Sequence, residues 1–284
     1  MDGSQGAGSH LEGRVVVVTG AGGGFGKLIG ELSAARGASV VVGDIDAAAA
    51  EATAAGISAS GAEAEWLAVD VRQLGQVQAL AQRAVERFGA VDVMVNNAGT
   101  MPLAFFADHE QAWEAWDRCI DINFKGVLNG ICAVHDQMIE QGRGHVVNIS
   151  SIYGNAGSAG SGVYSATKAA VSILSDSLRV ESQGKIKVTV VRPTGVLGTG
   201  LGAGVVNPAA LVGIVGQNEQ RFMARITAFM SGTLDGPLAD VDDPAYWAIE
   251  PDVVARAVVE AIDQPWGVTI SDVTVRATGE DYVL

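Results

Sequence analysis

Val15-Val16-Val17-Val18-Thr19-Gly20-Ala21-Gly22-Gly23-Gly24-Phe25-Gly26 decides how this chain of 284 residues folds. Four consecutive valines read as a strand buried on both faces, because a strand with one wet face would alternate apolar and polar residues. The glycine run leads directly into residues 27–36, whose apolar spacing predicts a helix. Strand, glycine turn and helix in that order suit a dinucleotide. The glycines let the backbone approach a pyrophosphate, and the helix N-terminus offers free N–H donors and a partial positive charge. Lys27 follows Gly26, but Leu28 comes next, so the Gly-Lys-Ser/Thr ending of a nucleoside-triphosphate loop is missing.

The same alternation continues outward. Further strand-like runs fall at 39–43, 65–69, 91–96, 145–149, 187–192 and 268–270, most of them continuous aliphatic stretches. Helical periodicity falls between them, at 73–88, 113–141, 164–181 and 251–263. Strands alternating with helices throughout predict the α/β class, as a single Rossmann-like, doubly wound parallel sheet flanked by helices. Residues 1–13 lack an apolar core and read as a flexible arm, leaving one domain over 14–284. Residues 198–250 break the rhythm and read as a long substrate-binding loop, or lid, after the sixth strand. Within it, the 22 residues from 195 to 216 carry no charge. Their seven glycines and the Asn207–Pro208 pair favour a loop beside an apolar pocket over a membrane helix.

Composition excludes several classes. Glycine supplies 37 residues, against a usual share of ~7%, and charged residues only 18%. With 48% hydrophobic residues this is not a disordered chain. The balance of 18 basic to 32 acidic residues gives −14, with no basic footprint for nucleic acid or an anionic membrane. Cys119 and Cys132 form no CxxC pair and read as reduced thiols of a cytoplasmic protein. His10, His109, His135 and His145 are scattered without partners at metal spacing, so no metal site is expected.

Asp44 closes the second strand 18 residues after Gly26, near the ~20 expected of a ribose-binding acid. Its carboxylate can accept from ribose hydroxyls and repels a 2′-phosphate. No Lys or Arg occurs from 37 to 71 to bind such a phosphate, which points to NAD as the cofactor. Asp46, rather than Asp44, suits the cap of the alanine-rich helix that follows. Farther along, Ser151 closes a strand, and 13 residues later stands Tyr164-Ser165-Ala166-Thr167-Lys168. Tyr and Lys at i and i+4 share a helix face. A nearby ammonium and a positively charged nicotinamide both favour phenolate and would lower a phenol pKa from its usual ~10, while Ser151 can hydrogen-bond a substrate oxygen.

The glycine run, Asp70, Asn96-Asn97-Ala98-Gly99, Asn123, Ser151, Tyr164 and Lys168 stand in the order and spacing of the short-chain dehydrogenase/reductase superfamily, which the chain resembles over residues 12 to 197 and again at 268–276. The resemblance implies a tetrad. Tyr164 would be the acid/base, Ser151 would orient the reacting oxygen, and Lys168 would bind the nicotinamide ribose and depress the tyrosine. Asn123 would hold a water relaying the proton. It also implies a cofactor site of Gly20, Gly24, Phe25, Gly26, Asp44, Ile45, Asp70, Val71, Asn97, Ala98, Gly99, Ile149, Tyr164, Lys168, Pro193 and Val196. Where the family carries Pro-Gly, this chain has Pro193-Thr194-Gly195, which shifts Thr199 by one and leaves its contact open. The helix bearing Trp113 and Trp116 commonly lies at a subunit interface in that family, implying a homotetramer or homodimer.

Met101, Tyr153, Asn155 and Leu197 are the candidate substrate contacts. With the uncharged lid and Phe222, Met223, Phe229 and Met230 they imply a hydrophobic secondary alcohol or its ketone, aromatic or alicyclic. No basic residue stands between 195 and 220, against phosphorylated or coenzyme A-linked substrates, although Arg221 and Arg225 follow closely. The expected activity is NAD-dependent hydride transfer. The alternatives are a dinucleotide-binding regulatory or structural protein without turnover, and an epimerase or dehydratase using the same tetrad.

Overall fold

The computed structural model of the chain describes residues 8–284. The valine run forms β1 (Val15–Thr19), followed by α1 (Gly24–Ala34), β2 (Ser39–Asp44), α2 (Ala47–Ala59), β3 (Ala64–Ala68), α3 (Leu74–Phe88) and β4 (Val93–Asn96). The second half runs α4 (His109–Ile120), α5 (Gly126–Glu140), β5 (Gly144–Ile149), α6 (Gly162–Glu181) and β6 (Ile186–Pro193). The lid then contributes α7 (Val212–Val215) and α8 (Glu219–Met230), before α9 (Pro251–Ile262) and β7 (Asp272–Val275). The seven strands lie in the order β3-β2-β1-β4-β5-β6-β7 and every pair is parallel.

Alternate valines of β1 serve opposite cores. Val16 and Val18 face a cluster with Ile29, Ala54 and Ile57 of α1 and α2 and Val254, Val258 and Ile262 of α9. Val15 and Val17 face Val77 and Leu80 of α3, Val127 and Val134 of α5, and Val171 and Leu178 of α6. This two-sided burial is why the run carries no polar residue. Asp46 caps α2 as expected, accepting from the Ala49 N–H at 3.1 Å.

Three expectations change. The seventh strand lies at 272–275 and not at 268–270. Val190 and Thr189 donate to the Ser271 and Ile270 carbonyls, so the parallel ladder begins only at the Val190–Asp272 pair. Val268 and Ile270 are exposed; a short apolar run outside the sheet mimicked a strand. The helix expected at 113–141 is one continuous helical run over residues 109–140, longer at its start and not α throughout. Between α4 and α5 the turn Asp121–Lys125 is a π-turn, in which the Gly126 N–H reaches the Asp121 carbonyl five residues back. Trp116 packs inward while Trp113 is exposed.

The arm expected over 1–13 is only partly described. Residues 1–7 lie outside the described residues. Residues 8–13 pack on the domain: Leu11 is fully buried in the α1–α9 core, and Ser9 donates to Asp263 at 3.1 Å. No described helix is long and apolar enough to cross a membrane, and segment 195–216 is folded as short turns and helices. Leu11→Ala is expected to destabilise the domain by about 2–5 kcal/mol in urea unfolding, the usual range for a buried leucine. A change below the precision of the extrapolation would show that residues 8–13 are not part of the core.

Candidate active site

The strand order reverses between β1 and β4, and the connections beyond those strands leave in opposite directions. They open a crevice at the carboxyl ends of the strands. A cavity of about 440 Å³ occupies it. Its floor and walls come from the turn after β1 (Gly20, Gly23, Gly24, Phe25), the ends of β2 (Asp44, Ile45) and β3 (Val69, Asp70, Val71, Arg72), and the segment after β4 (Asn97, Ala98, Gly99). The inner end is closed by Ile149, Ser150, Ser151, Tyr164, Lys168, Pro193, Thr194 and Val196, and by Thr199, Gly200 and Leu201 of the lid.

The glycine turn is held from beneath. Asn97 Nδ2 donates to the Thr19 and Gly20 carbonyls, each at 2.9 Å, and the Asn97 N–H donates to Thr19 Oγ1 at 3.1 Å. A side chain at position 26 would collide with the Gly20 carbonyl and the Asn97 amide. Gly26 is therefore the packing glycine of the turn and does not line the cleft, contrary to the expectation that it contacts the cofactor. α1 opens at Gly24, in a left-handed conformation (φ 51°), with no side-chain cap on its N-terminus. Asp44 accepts from the Gly22 N–H at 2.8 Å and the Asp46 N–H at 3.0 Å. A carboxylate offers about four lone-pair sites, so Asp44 keeps capacity for two ribose hydroxyls. At the same end, Asp70 is paired with Arg72 at 2.6 Å, which holds its carboxyl below the usual range. Arg72 lies one residue past the stretch that the sequence shows to be free of basic residues.

Ser151, Tyr164 and Lys168 meet at the inner end, all buried. The Ser151 side chain caps the turn that follows, accepting from the Tyr153 N–H at 3.2 Å. Lys168 Nζ lies 5.8 Å from the Tyr164 ring centroid and donates to the Ile149 carbonyl at 2.8 Å. Burial pushes the Tyr164 phenol up to about 12, against a lowering contribution from Ser151, and pushes the Lys168 ammonium down to about 8. Burial sets the direction of the phenol's shift, and Lys168 is not among the groups that shift it.

Asn123 does not line the cleft. The π-turn aims it inward, where its Nδ2 donates to the Thr100 carbonyl and its Oδ1 accepts the Thr100 N–H, both at 2.9 Å. A Cβ at position 99 would stand 3.4 Å from Asn123 Oδ1 and 3.5 Å from Lys168 Nζ, so both side chains approach the Gly99 backbone.

None of the four candidate substrate contacts lines the cleft itself. Asn155 is exposed. Tyr153 is buried and donates to the Ile214 carbonyl of the lid at 3.1 Å, and Met101 and Leu197 pack in the same apolar cluster beneath the lid. That cluster also contains Tyr164, Phe222 and Trp247. Thr199, whose contact the sequence leaves open, lines the cleft, as do Arg118, Ile122, Gly200 and Leu201, which the sequence reading missed. The only signal for Gly200 and Leu201 was their position in an uncharged lid. Arg221 and Arg225 both bind Asp281 and offer no free charge to a substrate. Among the described residues, no group of His, Cys, Asp and Glu could hold a metal, and both cysteines are free.

A family model described as short chain dehydrogenase matches residues 14–208. An uncharacterized oxidoreductase of Listeria monocytogenes is 32% identical over 275 residues, covering 96% of this chain and 99% of that protein. A cis-4-hydroxycyclohexanecarboxylate dehydrogenase of Sinomonas cyclohexanicum is 42% identical over 184 residues, 63% of this chain and 72% of that protein. The structure of a short chain dehydrogenase/reductase from Burkholderia phymatum in complex with NAD matches with a TM-score of 0.73 and 28% identity, over 93% of this chain and 89% of that one. A metagenomic short-chain oxidoreductase in complex with NADP matches at 0.71 and 29%, over 95% and 99%.

The buried ammonium sets a pH signature. With a folded value near 8, below the ordinary 10.5, the unfolded chain holds the extra proton between those pH values. Lys168 therefore costs stability below about pH 8, and that cost fades as pH rises toward 10.5. Comparison of the parent with Lys168→Met by urea unfolding should show their difference moving in the parent's favour across that window. A pH-independent difference would show that Lys168 is not strained by burial.

Proposed function

The chain belongs to the short chain dehydrogenase family, and from this we propose that it is an NAD-dependent oxidoreductase acting on a hydrophobic secondary alcohol or its ketone. One observation carries the reading: a single cleft has a ribose-type carboxylate, Asp44, at one end and Ser151, Tyr164 and Lys168 together at the other. The residues present fit a nicotinamide dinucleotide. Uncapped N–H groups of α1 and the glycine turn would hold the pyrophosphate, Asp44 the adenosine ribose, and Lys168 the nicotinamide ribose. When bound, the nicotinamide supplies the hydride acceptor or donor.

The chain's own residues would manage the proton and the geometry. Tyr164 Oη takes the hydroxyl proton in oxidation and returns it in reduction, and Ser151 Oγ donates to the reacting oxygen as negative charge develops. Because burial alone holds the phenol near 12, further positive charge in the cleft is needed to bring it into a working range, so turnover requires the filled site. Asn123, closed on the Thr100 backbone, would hold the water of the relay that the family resemblance implies.

Asp44 accepting two backbone N–H groups favours hydroxyls over a phosphate, which supports NAD, although proteins similar to this one carry either dinucleotide. The substrate class is supported by the apolar cluster around Tyr164, by the commitment of Arg221 and Arg225 to Asp281, and by the relative named for a hydroxycyclohexanecarboxylate.

Two experiments test this. Tyr164→Phe should keep dinucleotide affinity while NADH formation from a panel of alicyclic and aromatic secondary alcohols falls by about 10²-fold or more. An unchanged rate would remove Tyr164 as the acid/base. Replacing Asp44 with Ser should lower the NAD-to-NADP ratio of kcat/KM by about tenfold or more, on the scale of a charged hydrogen bond. A ratio that stays put would mean that Asp44 does not read the ribose.

A further inference from the structure

Beyond β7 the chain turns back across the lid, and three consecutive side chains grip three different parts of the substrate side. Glu280 accepts from Thr194 Oγ1 at the rim of the cleft. Asp281, with no exposed surface, accepts from Trp247 Nε1 at 2.8 Å, Arg221 Nε at 2.5 Å and Arg225 at 3.0 Å; both arginines belong to α8. Its backbone carbonyl takes Asn218 Nδ2 at 2.9 Å, just before α8 begins. Tyr282 inserts its ring between the lid and the catalytic segment. Its centroid is 5.8 Å from Phe222 of α8 on one side and 6.4 Å from Tyr153 on the other, both edge-to-face. The next residue, Val283, donates to the Ile214 carbonyl of α7, the same carbonyl that holds the Tyr153 hydroxyl.

Tyr282 also accounts for the departure at Pro193-Thr194-Gly195. A Cβ at position 195 would fall inside the Tyr282 ring, so glycine is required where the ring lies on the backbone. Thr194 and Val196 on either side of that glycine both line the cleft, as does Ser151, two residues before Tyr153. The ring thus stands directly behind the wall that a substrate beside Tyr164 would meet. Its place is secured by a buried carboxylate. Burying a charge is costly unless it is fully partnered, and here two guanidiniums and an indole N–H converge on one carboxylate. Removing the carboxylate would strip Arg221, Arg225 and the Trp247 N–H of their common partner, so Asp281 ties tail and lid into one arrangement.

We propose that Tyr282 is a specificity-determining residue of this site: seated by Asp281, its ring is the spacer that sets the gap between α8 and the Ser151–Tyr153 segment, and so the bulk of the alcohol or ketone admitted beside Tyr164. The proposal rests on the oxidoreductase reading. A smaller side chain at 282 enlarges the substrate side without touching the cleft's dinucleotide end, where Asp44 and the glycine turn lie.

The test compares a bulky bicyclic secondary alcohol with cyclohexanol. In Tyr282→Ala the ratio of kcat/KM for bulky over small substrate should rise by about tenfold, mainly through KM, in the range that pocket-size changes give. Dinucleotide affinity, read by fluorescence titration, should stay parental. Tyr282→Phe, the conservative variant, should restore the parental ratio, since the ring is the spacer. Asp281→Asn keeps an acceptor for Trp247 but loses the charge. It should speed amide exchange across residues 219–230 and move the ratio in the same direction. A parental ratio in Tyr282→Ala with parental dinucleotide affinity overturns the proposal. If that variant does not fold, Tyr282→Leu is read in its place by the same criterion. Should the parent turn over no secondary alcohol or ketone, the oxidoreductase reading fails by itself. Amide exchange then decides here: faster exchange over 219–230 in Asp281→Asn sustains the seating of the lid by the tail, and parental exchange overturns it.

Discussion

Everything in this structure depends on the impossibility of joining parallel strands by tight turns. Each connection must cross a face of the sheet, and with seven parallel strands both faces become covered. The valines of β1 pay for that architecture by packing in two directions, with Val16 and Val18 in one core and Val15 and Val17 in the other. The strand order reverses beside the same strand, and two sets of crossings separate there. The cleft is the gap that this separation leaves, so its position follows from topology before any side chain is considered.

What lines the gap is set by burial as much as by chemistry. Tyr164 and Lys168 sit in surroundings that disfavour the charged form of each, raising one and lowering the other. Desolvation moves both toward their neutral forms, while a value of about 8 keeps Lys168 an ammonium at pH 7. The protein offsets part of that cost with the Ile149 carbonyl for the ammonium and the Ser151 hydroxyl for the phenol. Asn123 reaches the neighbourhood of the lysine only because a π-turn rotates it inward, and it spends both ends of its amide on the Thr100 backbone. Strain and desolvation of this kind concentrate where chemistry is done, since a group satisfied in the resting protein has little reason to exchange a proton.

The lid is less free than its composition suggests. Side chains at Gly204 and Gly213 would collide with Thr100 and with the Ala159 carbonyl, so these glycines let the lid backbone lie directly on the segments that carry the site. The carboxyl-terminal tail then ties the lid down from outside through Asp281. Uncharged, glycine-rich sequence here means close packing over the segments that line the cleft rather than an open flap.

Local pattern determined a good deal. Aliphatic runs between helical periods gave the parallel sheet, the glycine turn ahead of α1 marked one end of the cleft, and the i, i+4 spacing of Tyr164 and Lys168 put both on one face of α6. These features depend on neighbours in the chain, and local spacing records them. The seventh strand was displaced because its register is decided by Thr189 and Val190, some 80 residues away in the chain. Leu11 was read as part of an arm because a single apolar residue among polar ones carries no period. Tyr153 and Met101 stand near Ser151 and Gly99 in sequence, but only the fold packs Tyr153 against the lid and Tyr282 and sets Leu201 and Thr199 along the cleft. Sequence alone therefore determined which chemistry the chain can hold and along which strands. Which side chains reach the substrate side, and how large a molecule fits there, only the tertiary structure decided, because those depend on segments that meet at long range and on the desolvation that their meeting creates.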